Sequence, residues 1–114
     1  MTMAATVRAA LADIPAATIL AAESGCRVLD IIEETRAADG EIVLLLIDSN
    51  VATLDRAMLI AAIGPLAIER APSTRVGAID IVAGAAQKDV EAAARFLATA
   101  RSTTGQMLVV APEN

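Results

Sequence analysis

Apolar residues fall along this chain in two rhythms, one helical and one continuous. A short stretch from Ala4 to Ala12 predicts a helix that ends before Pro15, because the residue preceding a proline avoids the α region. Residues 16 to 38 read as one long helix. Ile19, Leu20, Cys26, Val28, Leu29, Ile31 and Ile32 form its apolar side, and Glu23, Arg27, Asp30, Glu33, Glu34 and Arg36 its polar side. Asp39-Gly40 supplies the stop, with glycine where a left-handed backbone costs least.

Glu41 to Ile47 is apolar on both faces, the mark of a buried parallel strand. Asp48-Ser49-Asn50 is a turn able to cap the next helix, which runs from about Val51 to Arg70 with Leu54, Met58, Leu59, Ile63 and Leu66 on one side. Gly64-Pro65 predicts a kink within it. Val76 to Val82 is a second apolar strand interrupted by Asp80, Lys88 to Ala100 a further helix, and Gln106 to Val110 a last strand. The alternation predicts a single α/β domain over 1–114 with three parallel strands, joined by right-handed crossovers and covered by helices on both faces.

Composition narrows the chemistry. The 114 residues carry nine basic and fourteen acidic side chains, a formal net charge of -5, and the basic ones are scattered. Nucleic acid and anionic membrane surfaces both need clustered Lys and Arg, so neither is an expected partner. No apolar run approaches the ~20 residues that span a bilayer, and no signal peptide is evident. The single Cys26 forms no intrachain disulfide and fits a reducing, cytoplasmic setting. Its simplest role is a buried spectator on a helix. Histidine, tryptophan and tyrosine are absent, which excludes His-dependent triads, His-based metal sites and base-stacking aromatic platforms.

Three segments resemble the short-chain dehydrogenases/reductases (SDRs). Leu66-Ala-Ile-Glu-Arg-Ala-Pro72, followed by Thr74-Arg-Val-Gly-Ala-Ile79, is similar to the family's LAxELAP…IRVNAI passage. Asp89-Val-Glu-Ala-Ala-Ala-Arg-Phe-Leu97, followed by Thr104-Gly-Gln-Met-Leu-Val-Val110, resembles its DVAxAxxFLxS…TGQxLxVDGG ending, and Gly40-Glu-Ile-Val43 its GRIV. The resemblance covers about residues 19 to 110 and implies a half-Rossmann unit. By the same resemblance, the family's Gly-rich cofactor turn would precede residue 1. Its helix Asn falls on Ile19, its Ser on Ile47 with Ser49 two residues off, its Tyr on Ala52 and its Lys on Arg56. The reductase needs a phenol made acidic by a neighbouring ammonium to protonate a carbonyl, and these positions supply neither.

The expected function follows from that mismatch. The isolated chain should bind no cofactor, with NAD(P) reached only through a partner subunit. The leading expectation is a non-catalytic SDR-like subunit, acting as a homodimer or as the partner of a full-length SDR. In complete members the two long helices around the fifth strand form a four-helix bundle with a second subunit, which implies an interface through Cys26, Leu29, Ile32, Leu54, Met58 and Ile63. The bare edge of strand 42–47 offers an alternative contact. Arg56 reads as a surface or interface cation. A second expectation is a small enzyme of another reaction type using a carboxylate at an inter-subunit pocket, with Asp48, Ser49 and Asp80 as candidates. Asp48-Ser49-Asn50 lies at a strand's carboxyl end, where open α/β sheets bind ligands, and Asp80 is a costly residue in an apolar strand unless it finds a partner.

Overall fold

The computed structural model describes residues 2–113, in the order α1 (Met3–Ala10), β1 (Ala17–Ala22), α2 (Val28–Ala37), β2 (Ile42–Ile47), α3 (Thr53–Arg70), β3 (Arg75–Ile81), α4 (Gln87–Thr99) and β4 (Gln106–Val110). The strands form one parallel sheet in the order β1-β2-β3-β4. The α/β half-Rossmann class holds, with four strands where three were expected.

The extra strand comes from the segment read as the first half of a long helix. Ala17–Ala22 pairs with Ile42–Ile47 residue for residue, and Ser24-Gly25 breaks the chain before α2, with Gly25 at φ 81. Alanine favours helices by only a few tenths of a kcal/mol per residue over most others. The hydrogen-bonding row along β2 outweighs that preference. β2 is therefore central, with all six residues buried, and the bare edge expected along 42–47 does not exist. Cys26 lies in the β1–α2 loop and is half-buried, not on a helix.

Each sheet face has its own core. Leu45, Ile47, Val76 and Ala78 pack under α2 and α3, which contribute Val28, Ile31, Leu59, Ile63 and Leu66. Ile42, Leu44, Leu46 and Ile79 pack under α1 and α4, which contribute Val7, Leu11, Val90 and Leu97. Gly77 lets α4 approach: a Cβ there would lie 3.2 Å from Leu44 Cδ2 and 3.6 Å from Leu97 Cδ1. α3 continues through Gly64-Pro65 as one 18-residue helix, with Pro65 inside it.

The crossovers do not all share one hand. Every connection steps the same way across the sheet, yet α2 and α3 lie on one face and α4 on the other. The β3–α4–β4 connection therefore has the opposite hand to the two before it, although such crossovers are right-handed in about 98% of cases. The physical gain is coverage. A third helix on the α2–α3 side would leave only α1 over the second apolar face of β2.

Candidate functional site

The carboxyl ends of β2 and β3 bring Asp48, Ser49 and Asp80 together. Ile47 pairs with Asp80 in the sheet register, so the two strands end side by side. Asp80 points to the α3 face, where its carboxylate forms an ion pair with Arg56 from the first turns of α3. The two side chains are only 20% and 15% exposed. The second amino group of Arg56 donates to the carbonyl of Asp48 at 2.7 Å and to that of Val51 at 3.4 Å. One guanidinium thus ties the end of β3 to the β2–α3 loop. Arg56 is a clamp inside the molecule and not the surface cation expected of it.

This arrangement explains how Asp80 tolerates an apolar strand. A partly desolvated carboxylate is stable beside a fixed guanidinium that also satisfies nearby backbone carbonyls. Asp48 has a different role from the helix cap expected of it. The α3 N-cap is Ala52, with no side-chain cap bond, while Asp48 accepts from Ser49 Oγ at 3.3 Å and from the Asn50 amide at 3.4 Å within its own turn. Asn50 in turn accepts from the Ser24 amide at 3.0 Å, joining the loops that follow β1 and β2.

Ser49, Arg56 and Asp80, with Ile81, Val82 and Ala83, line a shallow cavity of about 240 Å³. A larger open hollow of about 670 Å³ lies at the other end of the sheet, against Glu41, Pro72, Arg75 and Arg101. There the Arg75 guanidinium is engaged by the carbonyls of Leu97, Ala98 and Ala100. Among the described residues no cluster of three or more His, Cys, Asp or Glu side chains could hold a metal ion, and no helix is long and apolar enough to cross a membrane.

Of the positions that the resemblance assigned to the reductase chemistry, Ile47, Ala52 and Arg56 lie at the carboxyl end of β2 and the start of α3. Ile47 is buried in the sheet, Ala52 caps α3, and Arg56 is held by Asp80. Ile19, assigned to a helix Asn, is a buried residue of β1, so that assignment fell on a strand.

The residues expected at an interface divide. Leu29, Leu54 and Met58 are exposed on α2 and α3, at 73%, 72% and 46%. Ile63 is core, at 2%, and Cys26 and Ile32 are half-buried against that core. Ile68, which the sequence reading left out, is exposed at 80%. Its signal was available: it continues the spacing of Leu54, Met58, Ala61 and Pro65 along the same side of α3.

Neither a curated protein nor a solved structure matches the chain. A family model described as SDR-like, short chain dehydrogenase-like protein, matches residues 9–110, which take in every strand and the helices α2 to α4. With a parallel doubly covered sheet in sequential order and a match over nearly its whole length, the chain belongs to the SDR-like, short chain dehydrogenase-like family.

Proposed function

We propose that this chain is a non-catalytic member of its family that works by association, through the outer face of α3 and the neighbouring start of α2. The observation that carries the reading is the outer side of α3. Leu54, Met58 and Ile68 are exposed there, with Ala57, Ala61 and Pro65 between them, and Leu29 stands at the same end as Leu54. From Leu54 to Ile68 the stripe runs about 21 Å along the 18-residue helix. Scattered exposed leucines are ordinary, but a contiguous uncharged stripe of this length marks a contact surface. A two-fold axis would set α3 against its own copy. A partner reductase with the matching helices would use the same face and supply any NAD(P).

Light scattering at micromolar concentration tests the reading. The expected species has twice the 11.7 kDa chain mass, and the variant carrying both Leu54→Asp and Ile68→Asp is expected to be a folded monomer. A wild-type chain that stays at 11.7 kDa, and that also retains no full-length SDR in co-purification, overturns it.

A small enzyme using Asp80 or Ser49 is the second reading, favoured by the cavity they line with Arg56. Its carboxylate would have to leave the Arg56 pair to act as an acid or base. Turnover of any substrate that disappears in Asp80→Asn, with the fold retained, would put this reading first.

A further inference from the structure

The β1 edge of the sheet carries a feature that the association reading does not use. Hydrogen-bond parity decides which groups of β1 face outward. The carbonyls of Ala16 and Ala22 accept from Glu41 and Asp48 on the β2 side, each at 2.9 Å. Even-numbered residues of β1 therefore face β2, and Ala17, Ile19 and Ala21 turn their N–H and C=O groups away from it. The Ala17 N–H is taken up locally by the Ile14 carbonyl at 3.1 Å. The middle outward acceptor, Ile19 O, receives both Nε and Nη2 of Arg8, at 3.2 Å and 3.0 Å.

Arg8 is held in that position. It projects from α1, whose Ala4 and Val7 are buried in the core. Beyond α1, Arg95 of α4 grips Asp13 through two bonds of 3.0 Å and 2.9 Å. The strand beneath is Ala-Thr-Ile-Leu-Ala-Ala, without a charge, a proline or a glycine. Those are the devices that usually make a sheet edge unattractive to another strand, and β1 has none of them.

We propose that Arg8 is an edge guard, which closes β1 against strand addition by a second copy of this chain. The second copy is the fitting occupant because its own β1 is an uncharged strand, apolar but for Thr18, and so matches the edge that it would meet. Two β1 edges related by a two-fold axis would pair antiparallel and give a continuous eight-stranded sheet. Each guanidinium fork stands in the other strand's path, on the acceptor at the middle of the row. The Arg8 guard is independent of the α3 contact and directs association away from the sheet edge.

The test uses the Leu54→Asp, Ile68→Asp chain as parent, so that α3 does not contribute. Arg8→Met keeps the aliphatic stem and removes every donor. It is expected to associate at a concentration at least about tenfold below the parent's, read by sedimentation. Adding Ala21→Pro should reverse this, since the Ala21 N–H faces outward and its loss breaks no bond to β2. Arg8→Lys, which keeps a charged donor, should stay near the parent. A folded Arg8→Met chain with the parent's concentration dependence overturns the proposal, and so does association that Ala21→Pro leaves unchanged. If Arg8→Met does not fold, Arg8→Gln, too short to reach the carbonyl, carries the same comparison.

Discussion

Arginine, at the scale of single residues, is used in this protein mainly to satisfy backbone carbonyls. Arg70 donates to Thr35 O and Arg36 O at the end of α2, Arg75 to three carbonyls at the end of α4, and Arg95 to Ala10 O at the end of α1. Each helix end carries unsatisfied carbonyls and partial negative charge, and a cation from a neighbouring element answers both. Arg56 does the same for the β2–α3 loop while pairing with Asp80. Removing either partner strands the other, so Arg56→Ala and Asp80→Ala are each expected to cost about 2 kcal/mol in urea unfolding. The double variant should lose less than their sum, with a coupling of roughly 1 kcal/mol or more. Additive losses would show that the pair is not a clamp.

At the scale of elements, the ties between neighbours differ in how they respond to pH. The Asp13–Arg95 pair joins the end of α1 to α4, and its hydrogen bond from Arg95 holds the Asp13 carboxyl below its ordinary value of 3.8. A carboxyl with a lowered folded pKa stabilises the fold above its unfolded value and stops doing so as pH falls through the folded one. The contribution is therefore complete at neutral pH and lost only in acid, below the ordinary value. Because both groups are solvated, the effect should be small and reduced by salt. Thermal unfolding of Asp13→Asn against wild type checks this: the two midpoints should differ at neutral pH and converge as the carboxylate is protonated in acid. A gap that persists unchanged in acid would assign the tie to packing instead.

For the molecule as a whole, protection is greatest at the middle of the sheet. β2 is buried on both faces and paired on both sides, so its amides should exchange with solvent only through global unfolding. In the proposed reading another chain is met at the outer side of α3, while Arg8 closes the β1 edge. No strand-to-helix turn here carries a run of glycines; Gly25 and Gly84 stand alone. Phosphate cradles need several close backbone approaches at a helix N-terminus. Calorimetry with NADH and NADPH is accordingly expected to give no micromolar binding to this chain, and such binding would overturn the expectation that it holds no cofactor site of its own.

Much of this protein was legible in its sequence, and what was not has a common cause. The strands 42–47 and 76–82 announced themselves because residues buried on both faces leave continuous apolar runs, and 106–110, half exposed, as a short run of Met, Leu and Val after Ser102-Thr-Thr-Gly105. The family was legible in the ordered segments from Gly40 to Val110, which the family match at 9–110 bears out. Asp48, Ser49 and Asp80 were legible as candidates because polar residues at strand ends are exceptional in so apolar a chain. Their grouping was not, since it depends on Arg56 reaching across from α3. β1 was missed because Ala-Thr-Ile-Leu-Ala-Ala has no strong local preference; only its pairing with β2 makes it a strand. Ile63 and Leu54 looked alike on one helix, yet one is core and the other exposed, because the width of the sheet beneath decides how much of α3 it can cover. The hand of the last crossover was decided in the same way. Local residues set which segments could be helix or strand, and the competition for two sheet faces settled where each one went.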